Sequence, residues 1–202
     1  MSQVVCDVTV SLDGFVAGPG QSQEQPLGRD GELLHRWQFE GAEDNPDELA
    51  AIVAAGAFIM GRNMFGPVRG PWSDEAWAGW WGPEPPYHAP VFVLTHHPRP
   101  PITMEGGTSF TFVTEGSAHA LRLAREAAGG TDVAIAGGAS TINQYLASGD
   151  IDELRLHIAP VTLGTGERLF DGVGTMALSP VASRASRLVT HLTYRRAAAE
   201  EN

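Results

Sequence analysis

Cysteine is nearly absent from this chain: Cys6 is the only one in 202 residues. A single thiol excludes an intrachain disulfide and the usual cysteine-based structural zinc patterns. Its place in an apolar run marks it as a small buried residue. Basic residues are also scarce. Lys and Arg together number 13 against 24 Asp and Glu, giving a net charge of −11 and a pI near 4.9. That balance argues against a nucleic-acid partner, because phosphate backbones select basic faces. No apolar run approaches the roughly 20 residues of a membrane helix. The opening Met-Ser-Gln-Val-Val-Cys-Asp lacks the basic and long apolar segments of a secretory signal. The expectation is a cytoplasmic protein with neither a membrane nor a nucleic-acid partner. Chemical signatures are missing too: there is no G-x-S-x-G elbow, no P-loop and no G-x-G-x-x-G after the first strand. His88, His96 and His97 lie in loop sequence with no third ligand at metal spacing, so no metal is expected.

What is present fits one globular domain, expected over residues 1–196 with a flexible tail at 197–202. Gln3 to Leu12 is rich in β-branched residues and reads as a central strand, ending at a turn marked by Asp13-Gly14. Gly31 to Phe39 reads as a helix with Leu33, Leu34 and Trp37 on its apolar stripe and Asp30 or Gly31 as its cap. Asn45-Pro46-Asp47-Glu48 starts a second helix, with Asn45 as N-cap, running to about Ala55. Ala57 to Met60 and Pro90 to Thr95 read as buried strands. Between them, Gly66 to Pro90 is a broken insertion carrying Trp72, Trp77, Trp80 and Trp81. Thr111 to Val113 is a short strand and Ala118 to Ala128 a helix. Asp152 to Ala159 alternates as a strand with one wetter face, and Met176 to Arg184 and Leu188 to Arg195 form a closing hairpin. Alternating strands and helices predict a largely parallel sheet covered on both faces, with an antiparallel C-terminal edge.

One stretch gathers the rest. In Asp132-Val-Ala-Ile-Ala-Gly-Gly-Ala-Ser-Thr-Ile-Asn-Gln-Tyr-Leu146 an apolar strand meets Gly137 and Gly138 and passes into a helix with Ile142, Tyr145 and Leu146 on one face. Glycines let a ligand approach the backbone, and the first helical amides and the helix dipole favour an anion. Ser140 and Thr141 add hydroxyls. The stretch alone fits a pyrophosphate seat or merely a tight turn. Ligands of open sheets bind beyond the carboxyl ends of the strands. Ser11 to Gly14, Gly61-Arg62, Thr95 to Arg99 and Gly137 to Thr141 all fall at such ends, which favours a nucleotide. Arg62 is placed to clamp a phosphate, or to form a surface salt bridge. His96, His97 and Arg99 form a cationic patch suited to the extra phosphate of NADP, or a solvated loop.

Ser11-Leu-Asp-Gly-Phe-Val-Ala, Ile59-Met-Gly-Arg62, Val93-Leu-Thr95, Ala136-Gly-Gly-Ala-Ser-Thr141 and Leu169-Phe-Asp-Gly172, in that order, resemble the dihydrofolate reductase superfamily, and more closely its RibD C-terminal branch. The resemblance covers about Val4 to Tyr194. It implies an α/β three-layer sandwich with a mixed, mostly parallel sheet, binding NADPH across the strand ends. It implies that Gly137, Gly138, Ala139, Ser140 and Thr141 take the pyrophosphate. Gly61, Arg62 and Asn63, with Thr95, His96 and His97, would hold the adenosine and its 2′-phosphate. Leu12, Val16 and Ala17 would run along the nicotinamide. Two departures stand out. One cysteine cannot supply the zinc ligands of the deaminase half of the bifunctional riboflavin enzyme, and the acid with which dihydrofolate reductases bind the pterin has no unambiguous counterpart. Asp13, Glu32 and His35 are the candidates for a catalytic proton donor.

The leading expectation is an NADPH-dependent reductase of a small heteroaromatic, carbonyl or imine substrate, resembling 5-amino-6-(5-phosphoribosylamino)uracil reductases. The alternative is an NADP(H)-binding module without turnover. A homodimer is expected, with the C-terminal strands as an edge that needs cover.

Overall fold

The structure is a computed structural model and describes residues 2–66 and 69–197. Its frame is a nine-stranded sheet. Six strands run parallel: β1 (Val4–Ser11), β3 (Ala57–Gly61), β4 (Pro90–Leu94), β6 (Ser109–Val113), β7 (Val133–Gly137) and β8 (Glu153–Ala159). At one edge the short β5 (Ile102–Thr103) pairs antiparallel with β6. At the other, β10 (Leu178–Ala185) and β11 (Thr190–Arg196) form an antiparallel hairpin laid against β8. The spatial order is β10-β11-β8-β1-β7-β3-β4-β6-β5. The mixed α/β sheet with its antiparallel C-terminal edge agrees with the pattern of the sequence.

Alternation along β1 shows why both faces must be covered. Val4, Cys6, Val8 and Val10 enter one core, and Val5 enters the other. The first core lies under α4 (Ser117–Ala128) and α5 (Ala139–Ser148), through Ala120, Leu121, Ala124, Ile142, Tyr145 and Leu146. The second joins Phe58, Met60, Val91, Val93 and Phe110 to Phe65 of α3 (Arg62–Phe65), with Trp72, Trp77 and Trp81 of the insertion packed on it. Truncating a fully buried residue such as Ile135 or Phe110 costs about 2–5 kcal/mol. A second, two-stranded sheet pairs β2 (Phe15–Ala17) with β9 (Glu167–Arg168).

Several local expectations need correction. Gly31 to Phe39 is not one helix: a 3-10 turn over Gly31–His35 runs into α1 (Arg36–Phe39). Leu34 and Trp37 are buried, but Leu33 is 40% exposed, because a three-residue turn rotates it off the inner stripe. Asp30 makes no side-chain cap. The second helix, α2 (Pro46–Ile52), stops short of Ala55. Asn45 stands at its N-cap position, but its side chain caps nothing: it bonds Gly41, Arg184 and His191 instead. Beyond α2, Gly56 donates its amide to the Asp132 carbonyl at 3.0 Å, which ties the starts of β3 and β7 together. Of the tail, residues 198–202 lie outside the described residues. No described helix is long and apolar enough to cross a membrane.

Candidate functional site at the carboxyl rim of the sheet

Because six strands are parallel, their carboxyl ends share one rim, and Ser11, Gly61, Leu94, Val113, Gly137 and Ala159 stand along it. At its centre β7 passes through Gly137 and Gly138, joined by a cis peptide bond, into α5. The Gly138 carbonyl accepts from the amides of Thr141 and Ile142 at 3.0 and 3.1 Å, so the helix begins there. A Cβ on Gly138 would meet nothing within 4 Å. The backbone is therefore open to the rim, with Ser140 exposed beside it and Ala139 and Thr141 buried. Gly61 has no such space: a Cβ there would collide with the Thr141 hydroxyl, so the ends of β3 and α5 fit only because Gly61 has no side chain.

Arg62 begins α3, one residue beyond Gly61. Its guanidinium carbon lies 3.5 Å from the ring centre of Trp72. Arg99 comes over the same ring at 5.0 Å and over Phe112 at 5.3 Å. Trp72 is fixed by its indole N–H, which donates to the His97 carbonyl at 2.8 Å. Two guanidiniums thus meet around one indole. Among the described residues, the Nε and Nη1 of Arg62 and the Nη1 of Arg99 are buried without a hydrogen-bond partner. Burial, and then the charge of Arg99, pulls the Arg62 pKa down, and burial likewise lowers that of Arg99. Buried N–H groups left unpaired cost about 1–3 kcal/mol each, and more on a charged group. The charges of Asp74 and Glu75 act on Arg99 from the insertion, and its Nη2 donates to the Glu75 carbonyl. Among the described residues, however, neither guanidinium forms a salt bridge, so two cations set together in an acidic protein have the electrostatics of an anion site. Next to it the Thr95 hydroxyl accepts the His97 amide at 3.0 Å, His96 is exposed and His97 half-buried, and Asn63 is exposed on α3.

The insertion serves as a brace for this corner. Besides Trp72, the indoles of Trp77 and Trp80 donate to the carbonyls of Phe65 and Met64 at 2.9 and 3.0 Å. Those carbonyls belong to the last residues of α3, where a helix leaves its acceptors free.

On the β1 side Asp13 is the tie. Its Oδ1 accepts from the Ser11 hydroxyl at 2.6 Å and the Leu163 amide at 3.1 Å, and its Oδ2 from the Gly164 amide at 2.7 Å. The Ser11 hydrogen bond, joined by those of Gly164 and Leu163, holds the Asp13 carboxyl down at about 2. It is an ionised loop clamp in this geometry. Glu32 is exposed. His35 is half-buried with Nδ1 3.2 Å from Gln38 Oε1, and burial lowers its pKa. No hydrogen bond joins Asp13 to Glu32 or His35 among the described residues. Leu12 is 64% exposed, while Val16 leans on the core and Ala17 is buried in β2.

Sequence reasoning missed Trp72 as a partner of the arginines, and Asn143. The Asn143 side chain donates to the Arg168 carbonyl at 3.0 Å and accepts the Phe170 amide at 2.8 Å, tying β9 to α5. Phe170 has φ 66°, a left-handed conformation uncommon outside glycine and asparagine. Among the described residues no group of three His, Cys, Asp or Glu is placed to hold a metal. Two concavities lie away from the rim. One of about 470 Å³ runs along α4 by Arg122 and Arg125, and one of about 230 Å³ lies between α2 and the C-terminal strands.

A parallel sheet with helices on both faces, an antiparallel hairpin at its edge and a glycine-lined rim defines an α/β fold of the reductase-like kind. Residues 2–195 match the model of the RibD C-terminal domain, and the chain belongs to that family. An uncharacterised Bacillus subtilis protein, YwjB, is 28% identical over 176 residues, covering 83% of this chain and 82% of its own. Among solved structures, a putative riboflavin biosynthesis protein from Shewanella superposes with a TM-score of 0.66 at 22% identity, over 97% of this chain and 99% of that one. A pyrimidine reductase-like protein from Corynebacterium diphtheriae superposes with a TM-score of 0.59 at 16% identity, over 98% and 93%. At such identities these likenesses establish the fold.

Proposed function

We propose that this chain is an NADPH-dependent reductase of a small heteroaromatic, carbonyl or imine substrate, related in chemistry to pyrimidine reduction in riboflavin formation. The observation that carries the reading is the Arg62–Arg99 pair, two guanidiniums with buried, unpartnered N–H groups at the ends of β3 and β4. They suit the 2′-phosphate that separates NADPH from NADH. The Gly138 floor and the amides opening α5 suit the pyrophosphate. Membership of the RibD C-terminal family and the likeness to a putative riboflavin biosynthesis protein and a pyrimidine reductase-like protein support reduction as the chemistry. Bound NADPH would supply a hydride. The protein's part is to orient the cofactor along Leu12 to Ala17, exclude water and provide a route for one proton to the reduced substrate. His35, half-buried with Nδ1 beside Gln38 Oε1, is the candidate for that route.

Fluorescence titration with NADPH and NADH tests the cofactor assignment. The parent binds NADPH more tightly than NADH. Arg62→Ala and Arg99→Ala each weaken NADPH by roughly 10- to 100-fold, the loss of a charge-assisted hydrogen bond worth about 1.5–3 kcal/mol, and leave NADH unchanged. Equal affinity for the two cofactors in the parent would overturn it. A second reading, an NADP(H)-binding module without turnover, draws on Asp13, whose carboxylate is spent on the loop. Oxidation of NADPH in the presence of pyrimidines, pterins or cyclic imines separates the two.

A further inference from the structure

A polar cluster inside the fold has no part in the reaction proposed for the rim. Asp7 of β1, His157 of β8 and His191 of β11 project from three adjacent strands towards α2, beneath Trp37. The two histidines are 2% and 6% exposed, and the Asp7 side chain 6%.

Hydrogen bonds fix the protons here one after another. Asn45 donates its Nδ2 to the Gly41 carbonyl at 2.7 Å, so its Oδ1 is the atom turned to His191. That oxygen, which also receives Arg184 Nη2 at 2.9 Å, can only accept. His191 Nε2, 2.9 Å from it, therefore carries a proton. Burial holds the His191 pKa down to about 4, which leaves the ring neutral and its Nδ1 bare. His157 Nδ1 lies 2.8 Å from His191 Nδ1, so it must be the donor. His157 Nε2 is left facing Asp7 Oδ1 at 3.4 Å. Neither atom is reached by solvent, and neither has another partner. The gap is too short to hold a water between two hydrogen bonds. Were His157 neutral, a bare lone pair would face a carboxylate oxygen. Arg155 Nη1 donates to Asp7 Oδ2 at 3.3 Å.

We propose that His157 is a buried imidazolium and that its second proton, shared with Asp7, is a pin joining β1, β8 and β11 to α2. The surrounding charges agree. Asp7, Glu153 and Glu48 face Arg155 and Arg184, with Arg195 bonded to Glu153 from the exposed rim and Asp44 and Asp47 beside Arg184. These five carboxylates outnumber the three guanidiniums, and the His157 charge offsets part of that excess. Trp37 presents its ring 4.8 Å from that of His157, within cation–π range. The 230 Å³ concavity beside the cluster, lined by Glu48, Arg155, Arg184 and His191 among others, gives the proton a route to solvent. The fold thereby contains a proton-operated clamp on its C-terminal hairpin.

Nitrogen-15 spectra of the histidine rings at pH 7 test this on the intact chain. Two protonated nitrogens on His157 and a neutral, Nε2-protonated His191 are expected. Asp7→Asn should turn His157 into the neutral Nδ1–H form at the same pH. His191→Gln, whose side-chain oxygen can still accept from His157, should leave it charged. Raising the pH until the parent's His157 loses its second proton should lower the melting temperature over the same interval, with no such drop in Asp7→Asn. A neutral His157 in the parent at pH 7 overturns the proposal, as does a charged ring unaffected by Asp7→Asn. If Asp7→Asn does not fold, the parent and His191→Gln spectra decide.

Discussion

The guanidinium of Arg62 lies flat against Trp72, 3.5 Å from the centre of the indole. The indole is itself anchored to the backbone of His97, so a residue of the insertion sets the aim of a residue at the end of β3. A partly desolvated cation–π contact is worth about 0.5–2 kcal/mol. Trp72→Ala should therefore weaken NADPH binding by roughly 3- to 30-fold while leaving NADH binding nearly unchanged. Trp72→Phe keeps the π face and should recover part of the loss. Titration of the three proteins with both cofactors is the measurement. A loss common to NADPH and NADH would mean that Trp72 only supports the fold.

Asp13 holds the turn after β1 to the amides of Leu163 and Gly164. Its folded carboxyl is depressed to about 2, below the ~3.9 of a free aspartate. A depressed acid stabilises the fold above its unfolded value and loses that contribution as pH falls through its folded value. The clamp is thus fully closed from pH 5 upward and opens between about 4 and 2. Asp13→Asn places an amide N–H₂ against the backbone N–H of Gly164 or Leu163. Faster proteolytic cleavage within residues 163–172 is expected at pH 7, together with weaker cofactor binding. Cleavage at the parent rate would show that the loop does not depend on the carboxylate.

How much of the site could be read from the sequence follows from how local each part is. Gly137-Gly138 and Gly61-Arg62 were legible because an apolar run ending in glycine marks a strand end within a few residues. The β2–β9 ribbon was not legible: Phe15 to Ala17 and Glu167-Arg168 are too short to show a period and lie some 150 residues apart. Asn45 displayed every sign of a helix cap, yet tertiary partners, Arg184 and His191, claimed its side chain. The wetter face of β8 was visible by alternation. That its His157 would meet His191 depended on the register of β11, which no local pattern states. Within the insertion, the tryptophans could be placed on a surface but not assigned their carbonyl partners.

The contact between Gly61 and Thr141 gives a paired test of how the proposed phosphate seat is held. Gly61→Ala drives a methyl into the Thr141 hydroxyl and should cost about 1–3 kcal/mol, as overpacking does. Thr141→Ala removes the obstructing atom. If the clash is the cause, the double variant should be more stable than the sum of the single changes allows, a coupling read from denaturant midpoints. Additive losses would place the cost of Gly61→Ala elsewhere, in the backbone of β3.

The hairpin edge makes the last test one of assembly. β10 is exposed on nearly every residue, and Val181 is 48% exposed in its middle. Pro180 and the irregular register between Pro180 and Ala182 blunt direct strand addition there. Leu178, Leu192 and Tyr194 of the same two strands are only partly buried against the core. A second copy laid on the hairpin would bury apolar surface, Val181 included, that a lone chain leaves wet. The proposed homodimer should sediment at twice 21.5 kDa. Val181→Lys should raise its dissociation constant at least tenfold, since a charge must then be desolvated in the interface. Cofactor affinity should stay at the parent level, because β11, β8 and β1 stand between β10 and the strands that carry Gly138 and Arg62 to the rim. A parent that remains monomeric at high micromolar concentration would refute the dimer and leave the exposed hairpin as an edge guarded only by its proline and bulge.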